Sequence, residues 1–505
     1  MSSRRIIRQD PIARAVMSYG FLLGLCLLVQ TWLTGSSVQF WNTVVPMAVL
    51  ILGLSICISL VKGCAVYAIS PIPWFYLAST AYFGFGPLAA TFANPETISY
   101  IDWSSGYPID AFGIFEANLL SVAGIFSVSV AIWLSRQMLP WSRYMPEIGV
   151  RTFDVRRTEL VLWVFLAVGG TAKFTLSLPH ALGLISLPIP GIIQHLSWML
   201  TAAIIIVMLL VQRGARRYIP VMWVLITVEI ATAIMTTSKT AVLFTLIAIA
   251  LGRFLWKPSL RFILISAFGT IAFYSLILSP FVVATRVALL SDSFTIDAFM
   301  GVVAPYYESG TWLEPFASTD ESEFKVQSWW ARLNYTNYQK FAIDSYNSGN
   351  PGDSLNEVYY ILAPRILFPE KPIIGYGRIL SDLLNPGSGA WVLTAMGMFA
   401  EGYWNAGVAG LVGICLWAGF VLTGFTRFAF IQLEKGRFAM FLPLLGGLQC
   451  GIGVDWWYVG TFVGGVAEAA VYAFGLWWLF YRSERVPIKA RAMGLRVVSS
   501  DRSTN

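Results

Sequence analysis

The chain has 505 residues, of which 57% are hydrophobic and only 12% charged, with a mean hydropathy of +0.67. Soluble domains carry about 25% charged residues, so a soluble globular enzyme is excluded. Repeated apolar runs near 20 residues long point to an all-α polytopic integral membrane protein, not to a β-barrel with its short alternating strands. The formal net charge of +7 reads as a record of topology and calls for no nucleic-acid partner. The five cysteines, Cys26, Cys57, Cys64, Cys415 and Cys450, all lie in or beside apolar runs. They provide neither a disulfide framework nor a CxxC metal site and read as small buried apolar residues.

Taken in chain order, the apolar runs predict about twelve spans, near 15–34, 40–61, 71–92, 111–134, 158–176, 191–211, 218–235, 240–256, 261–280, 405–426, 438–454 and 458–481. The tail before the first carries Arg4, Arg5, Arg8 and Arg14 and is expected on the cytoplasmic side. It is not a cleavable signal peptide, because the first apolar run is long and lacks a small-residue cleavage site. Alternate loops then repeat the basic signal with Lys62, with Arg136 to Arg157, with Arg213 to Arg217, with Arg253 and Lys257, and with Arg427 to Arg437. The C-terminal tail adds Arg482 to Arg496, whereas the intervening loop 93–110 holds Glu96, Asp102 and Asp110 with no Lys or Arg. Both termini are therefore expected to be cytoplasmic. The organisation predicted is a nine-span bundle over 1–280, a large external loop over 281–390, a re-entrant or apolar segment with three further spans over 391–481, and a tail over 482–505.

Lys239 lies in Thr236-Thr-Ser-Lys-Thr240, at the outer end of two spans. It is either a lysine snorkelling from a tight hairpin or, with the hydroxyls around it, an anion site. The insert 281–390 carries twelve acidic residues against seven basic ones, Arg286 among them, so its cations stand out. Arg332, Arg365 and Arg378 either pair with those acids or, with Arg286, form a cationic pocket. Arginine stays charged and grips phosphate oxygens with two parallel hydrogen bonds. Within the insert, the spacing of Phe324, Trp329, Leu333, Tyr338 and Phe341 predicts an amphipathic helix over 323–346, lying on the membrane or the bundle. Asn334-Tyr-Thr336 matches a glycosylation sequon, and Asn350-Pro-Gly-Asp353 reads as a turn. Ser354 and Glu357 form a capping box before a short helix ending by Pro364, after which three prolines frame Arg365 and Lys371. Glu401 sits in a glycine-rich apolar run, where a carboxylate either pairs with one of these cations or serves as an acid/base. His180 and His195 are further base candidates at the outer side, and Asp455 beside Trp456 and Trp457 suits an interfacial aromatic belt.

Arg332-Leu-Asn, Gly352-Asp-Ser-Leu355 and Pro364-Arg-Ile-Leu-Phe-Pro-Glu-Lys-Pro372 together resemble the large external loop of Wzy-type oligosaccharide repeat-unit polymerases. Thr394 and Glu401-Gly-Tyr-Trp-Asn-Ala-Gly407 resemble that family's next element, with Ala400 in place of its glycine and Ala406 in place of its aromatic. Ser238-Lys-Thr240 is similar to a Ser-Arg/Lys-Thr element ending an earlier span. The resemblance covers roughly residues 236–410 in motif detail. It implies a GT-C-like fold in the bacterial inner membrane, with the large loop periplasmic. It further implies an inverting glycosyltransferase that moves the growing glycan from undecaprenyl pyrophosphate to a hydroxyl of a lipid-linked repeat unit. Lys239, Arg286, Arg332 and Arg365 would then hold the pyrophosphate, with Glu401, Arg365 and Arg332 at the chemistry and no metal or other cofactor. Departure of a glycosyl pyrophosphate develops negative charge on the leaving oxygen, which fixed cations can stabilise. A chain-length regulator and a flippase are the protein partners implied. An O-antigen ligase would resemble this layout but carries a functional histidine in the large loop, and 281–390 has none. A transporter would show internal repeats, and a plain scaffold gives no reason to frame Arg365 with prolines.

Overall fold

A computed structural model describes residues 10–93, 98–99, 101–102, 105–138, 153–185, 191–236, 238–278, 281–282, 330–362, 368, 376–384 and 395–484. Among the described residues there are helices and connections and no strand. Helix α1 (Pro11–Gln30) opens where Asp10 accepts the amide of Ile12 at 3.0 Å and Pro11 occupies the first helical position, a start favoured because the missing proline N–H has no intrahelical partner to lose. It is followed by α2 (Gly35–Gly63) and α3 (Pro71–Ser79), then by α4 (Ala111–Met138), α5 (Val155–Ala172) and α6 (Trp198–Gln212). Next come α7 (Ile219–Met235), α8 (Lys239–Trp256) and α9 (Leu260–Phe273). The insert contributes α10 (Thr336–Asn347), α11 (Val358–Leu362) and α12 (Tyr376–Leu384), and the chain closes with α13 (Met398–Glu434), α14 (Phe441–Ile452) and α15 (Gly465–Tyr481).

Ten helical stretches among the described residues are long and apolar enough to cross a membrane. Two predicted spans are helical but differ from simple crossings. The run 71–92 breaks after α3 into a π turn at Thr80–Phe85, a 3-10 turn at Gly86–Leu88 and one last turn at Ala89–Phe92. Pro87 removes an amide there, and π insertions bend a helix. The other is the short apolar stretch Phe438–Ile452. Helix α6 is buried nearly all round from Met199 to Leu210, the signature of a central helix. Phe21, Ile265 and Phe268 instead face outward on the bundle rim.

Ionic contacts gather the helix ends predicted to share one side. Asp10 pairs with Arg136 at 2.9 Å, joining the start of α1 to the end of α4. Glu484 pairs with Arg437 at 2.6 Å and with Arg157, joining the end of α15 to the turn before α14 and to the start of α5.

At the opposite end the insert docks on the bundle. Helix α10 buries Thr336, Asn337, Gln339, Ala342 and Ile343 against α4 and α13. The predicted helix over 323–346 is shorter where described, because the Asn334 carboxamide oxygen takes the Thr336 amide at 3.1 Å and its hydroxyl at 2.7 Å. That local bond ends the 3-10 turn Ala331–Leu333 and restarts the helix at Thr336. Asn334 is buried, so the sequon is not presented to solvent. The Leu333 carbonyl presses so closely on Gly86 that a Cβ there would stand 2.0 Å away. Ser354 also departs from its predicted cap role. It begins the 3-10 turn Ser354–Glu357 itself, with Asp353 ahead of it. Helix α13 starts at Met398 and kinks at Ala406–Gly407, where Gly407 has φ +59° and a side chain would meet the Tyr346 ring at 2.6 Å. Glycine alone meets both demands cheaply.

Candidate functional site

Along one flank of the bundle runs a cavity of about 1420 Å3, larger than a typical small-molecule pocket of up to roughly 1,000 Å3. Most of its length is apolar, walled by Val61 of α2, Trp74 and Leu77 of α3, Ile247 and Phe254 of α8, and Phe262 and Ile271 of α9. At one end the lining turns polar. Ser238, Lys239 and Thr240 line it there together with Arg332, Asn334, Asn337 and the tyrosines Tyr82, Tyr335 and Tyr338. Long-range folding makes this end. Trp330 donates to the Phe85 carbonyl at 2.7 Å and stacks on its ring at 4.7 Å. Asn337 donates to Asp102 at 2.7 Å and to the Tyr107 carbonyl at 2.8 Å. Tyr107 donates to Asp344 at 2.7 Å, and Lys340 bridges Glu116 at 2.9 Å and Asp344. Burial holds the Asp102 carboxyl above the usual aspartate range, although the bond from Asn337 pulls it back.

The structure therefore brings two of the predicted anion-binding residues, Lys239 and Arg332, to one cavity wall. Ser238 caps α8 by accepting the Ala241 amide at 3.3 Å, so Lys239 lies in the first turn of an 18-residue helix. The exposed N–H groups and the dipole of that turn add to its positive charge. Its ammonium stands 5.5 Å from the centroid of Tyr274, within cation–π range. Arg332 is exposed and makes no ion pair with a described residue. Arg286, Arg365 and, apart from Phe368, the proline-framed segment lie outside the described residues, as do Thr394 and the side chain of Arg378.

Glu401 does not line the cavity. It is fully buried, accepts the Ser354 hydroxyl at 2.8 Å, and takes the backbone amides of Tyr458 and Val459. Asn405 completes the cluster by donating to Ser354 and to the Glu401 carbonyl at 2.8 Å each, while accepting the Leu355 amide at 3.1 Å. The partners of Glu401 among the described residues are thus a hydroxyl and backbone amides, and no described cation pairs with it. The carboxylate ties the insert, α13 and the start of the last span together. His195 pairs with Glu468 at 2.6 Å between two helical segments, and His180 is exposed. Neither lines the cavity. Among the described residues no group of three or more His, Cys, Asp or Glu side chains could hold a metal ion.

Three features of the polar end escaped the sequence reading. The carboxamide nitrogen of Asn334 is buried at the cavity without a hydrogen-bond partner among the described residues. Tyr82 and Tyr335 pack edge to face at 5.5 Å. Behind them Asp455, in the connection between the last two apolar helices, is 7% exposed and accepts from the hydroxyls of both, Tyr335 at 3.3 Å. Burial pushes its carboxyl up to about 6, while the two hydroxyls and its own amide pull the other way. The only local sign was an acid between two apolar runs, which an interfacial aromatic belt explains equally well. Compared with known proteins, the chain matches no family model, no curated protein and no solved structure.

Proposed function

We propose that this protein is a membrane glycosyltransferase that polymerises lipid-linked oligosaccharide repeat units. It would move the growing glycan from polyprenyl pyrophosphate to a hydroxyl of the next unit. The observation that carries the reading is the two-part chemistry of one cavity. Lys239 and Arg332 stand at its polar end and an apolar wall of helices continues beneath them, the layout an anionic head on a long hydrocarbon tail requires. The motif resemblance around Arg332, Gly352-Asp-Ser-Leu355 and Glu401 points the same way. In this reading the bundle is GT-C-like and lies in the bacterial inner membrane with both termini cytoplasmic. The insert then faces the periplasm, and Arg286 and Arg365 are the further residues that the resemblance assigns to the pyrophosphate.

The chemistry asked of the site is modest. Two cations at the polar end of the cavity stabilise the charge that develops on the departing pyrophosphate oxygen, and removing one such group typically costs about 10²–10³-fold in rate. The test is deletion of the gene followed by glycan separation on a gel. Loss of long polymer with the single-repeat product retained is the expected result. Loss of every capped lipid A core would identify a ligase, and an unchanged glycan profile would remove both readings.

A further inference from the structure

Asp455 is a buried carboxylate that no described lysine or arginine neutralises. It sits directly behind two tyrosines of the cavity wall. Burying an ionised carboxyl without a cation is costly, and this one meets side chains of the cavity wall, whereas Glu401 meets Ser354 and backbone amides away from it. From this geometry, and resting on the polymerase reading above, we infer that Asp455 is the positioning base of the reaction, acting through the hydroxyl of Tyr335. As the acceptor oxygen attacks the anomeric carbon of the donor sugar, its proton passes to the Tyr335 oxygen, and Tyr335 hands its own proton to Asp455. A bond forms from the acceptor oxygen to that carbon. The bond from the carbon to the pyrophosphate oxygen breaks, and its electron pair leaves with the lipid pyrophosphate held by Lys239 and Arg332.

The surroundings suit a relay. Burial beside Asp455 pushes the Tyr335 hydroxyl well above the usual tyrosine range, so it stays protonated and can only pass a proton on. Its 3.3 Å bond to Asp455 is long for an O–H···O contact, and such bonds often tighten when substrate is in place. The groups facing Asp455 are Tyr82 from the π turn and Tyr335 from the insert. Beyond them stand Tyr338, 5.9 Å from the Tyr335 ring, and Tyr274 with Lys239. On the other side the carboxylate of Glu401 reaches the same connection through the Tyr458 amide.

The test uses membranes from the source cell lacking the chromosomal gene, complemented with wild type or variants and charged with the cell's own lipid-linked repeat units. Polymer formation is followed from pH 5 to 8. The wild-type rate is expected to fall about tenfold per pH unit below roughly 6. Asp455→Asn should lower the rate at pH 7 about 10²-fold and abolish that acid limb, and Asp455→Glu should restore part of both. Tyr335→Phe, which keeps the ring packing, should reproduce the flattened profile and carries the test if Asp455→Asn fails to accumulate. A wild-type acid limb surviving in Asp455→Asn or in Tyr335→Phe overturns the relay while leaving the polymerase reading intact. If the wild type makes no polymer where the deletion changes no glycan, the polymerase reading falls and the relay with it.

Discussion

Glu401 and Asp455 are both buried acids near the same end of the bundle, yet their surroundings assign them opposite work. Glu401 is closed in by a serine hydroxyl and two backbone amides, with Asn405 bridging its neighbours. Its contacts run to Ser354 of the insert and to the backbone at Tyr458 and Val459, away from the cavity, which suits it to hold the insert onto α13. Asp455 meets two tyrosine side chains that are themselves cavity-lining residues, which puts it one side chain away from whatever the cavity holds. Burial is common to both acids. What differs is whether the partners lead to chain or to open space.

The sharpest way to separate the two regions is at the cavity wall itself. Arg332→Ala or Lys239→Ala should cut polymer formation by about 10²–10³-fold with the thermal midpoint of the detergent-solubilised protein unchanged. A rate within twofold of wild type would remove the cationic site.

Glu401→Ala should behave in the reverse manner. It leaves the Ser354 hydroxyl and buried amides without an acceptor, at about 1–3 kcal/mol for each unsatisfied group. Thermal unfolding should show the loss, and the rate per folded molecule should stay within about threefold. A rate collapse without destabilisation would place Glu401 in the chemistry and erase the contrast.

A subtler effect concerns pH. The folded Asp455 carboxyl is held above its unfolded value, at about 6, so the native state binds the proton more tightly than the unfolded chain does. Acidifying from pH 7 to 5 should therefore stabilise the fold by about 1 kcal/mol while slowing the reaction. Asp455→Asn should remove this stability gain, and a variant that still gains as much would assign the effect elsewhere. The smallest change is expected of Lys340→Met. Its partners Glu116 and Asp344 are more than a third exposed, so solvent screening should hold the loss below about 1 kcal/mol. A loss of several kcal/mol on chemical denaturation would show that the α10 dock depends on that ion pair.

Much of this architecture was legible in the chain. Hydropathy marked the helices because each span must satisfy its own backbone in lipid, and that constraint acts locally. Lys239 and Arg332 were legible too, as cations stranded among apolar and acidic neighbours. The break after Ser79 and the late start of α10 were less so. A carboxamide turning back on its own backbone at Asn334, or a π insertion at Thr80, leaves the apolar spacing almost unchanged. Ser354 shows the same limit, since a local pattern predicted a cap while the hydroxyl went to an acid 47 positions away.

The sequence by itself thus determined a helical membrane bundle and the position of its large insert, and it singled out Lys239 and Arg332 as candidate cations. Only the tertiary structure decided that these cations share one wall, that Glu401 is tied into the chain, and that Asp455 stands behind the cavity tyrosines. The reason is physical. Hydrophobic period and charge are properties of neighbouring residues, whereas Asp455 meets Tyr335 across 120 positions of chain, and no local pattern encodes that meeting.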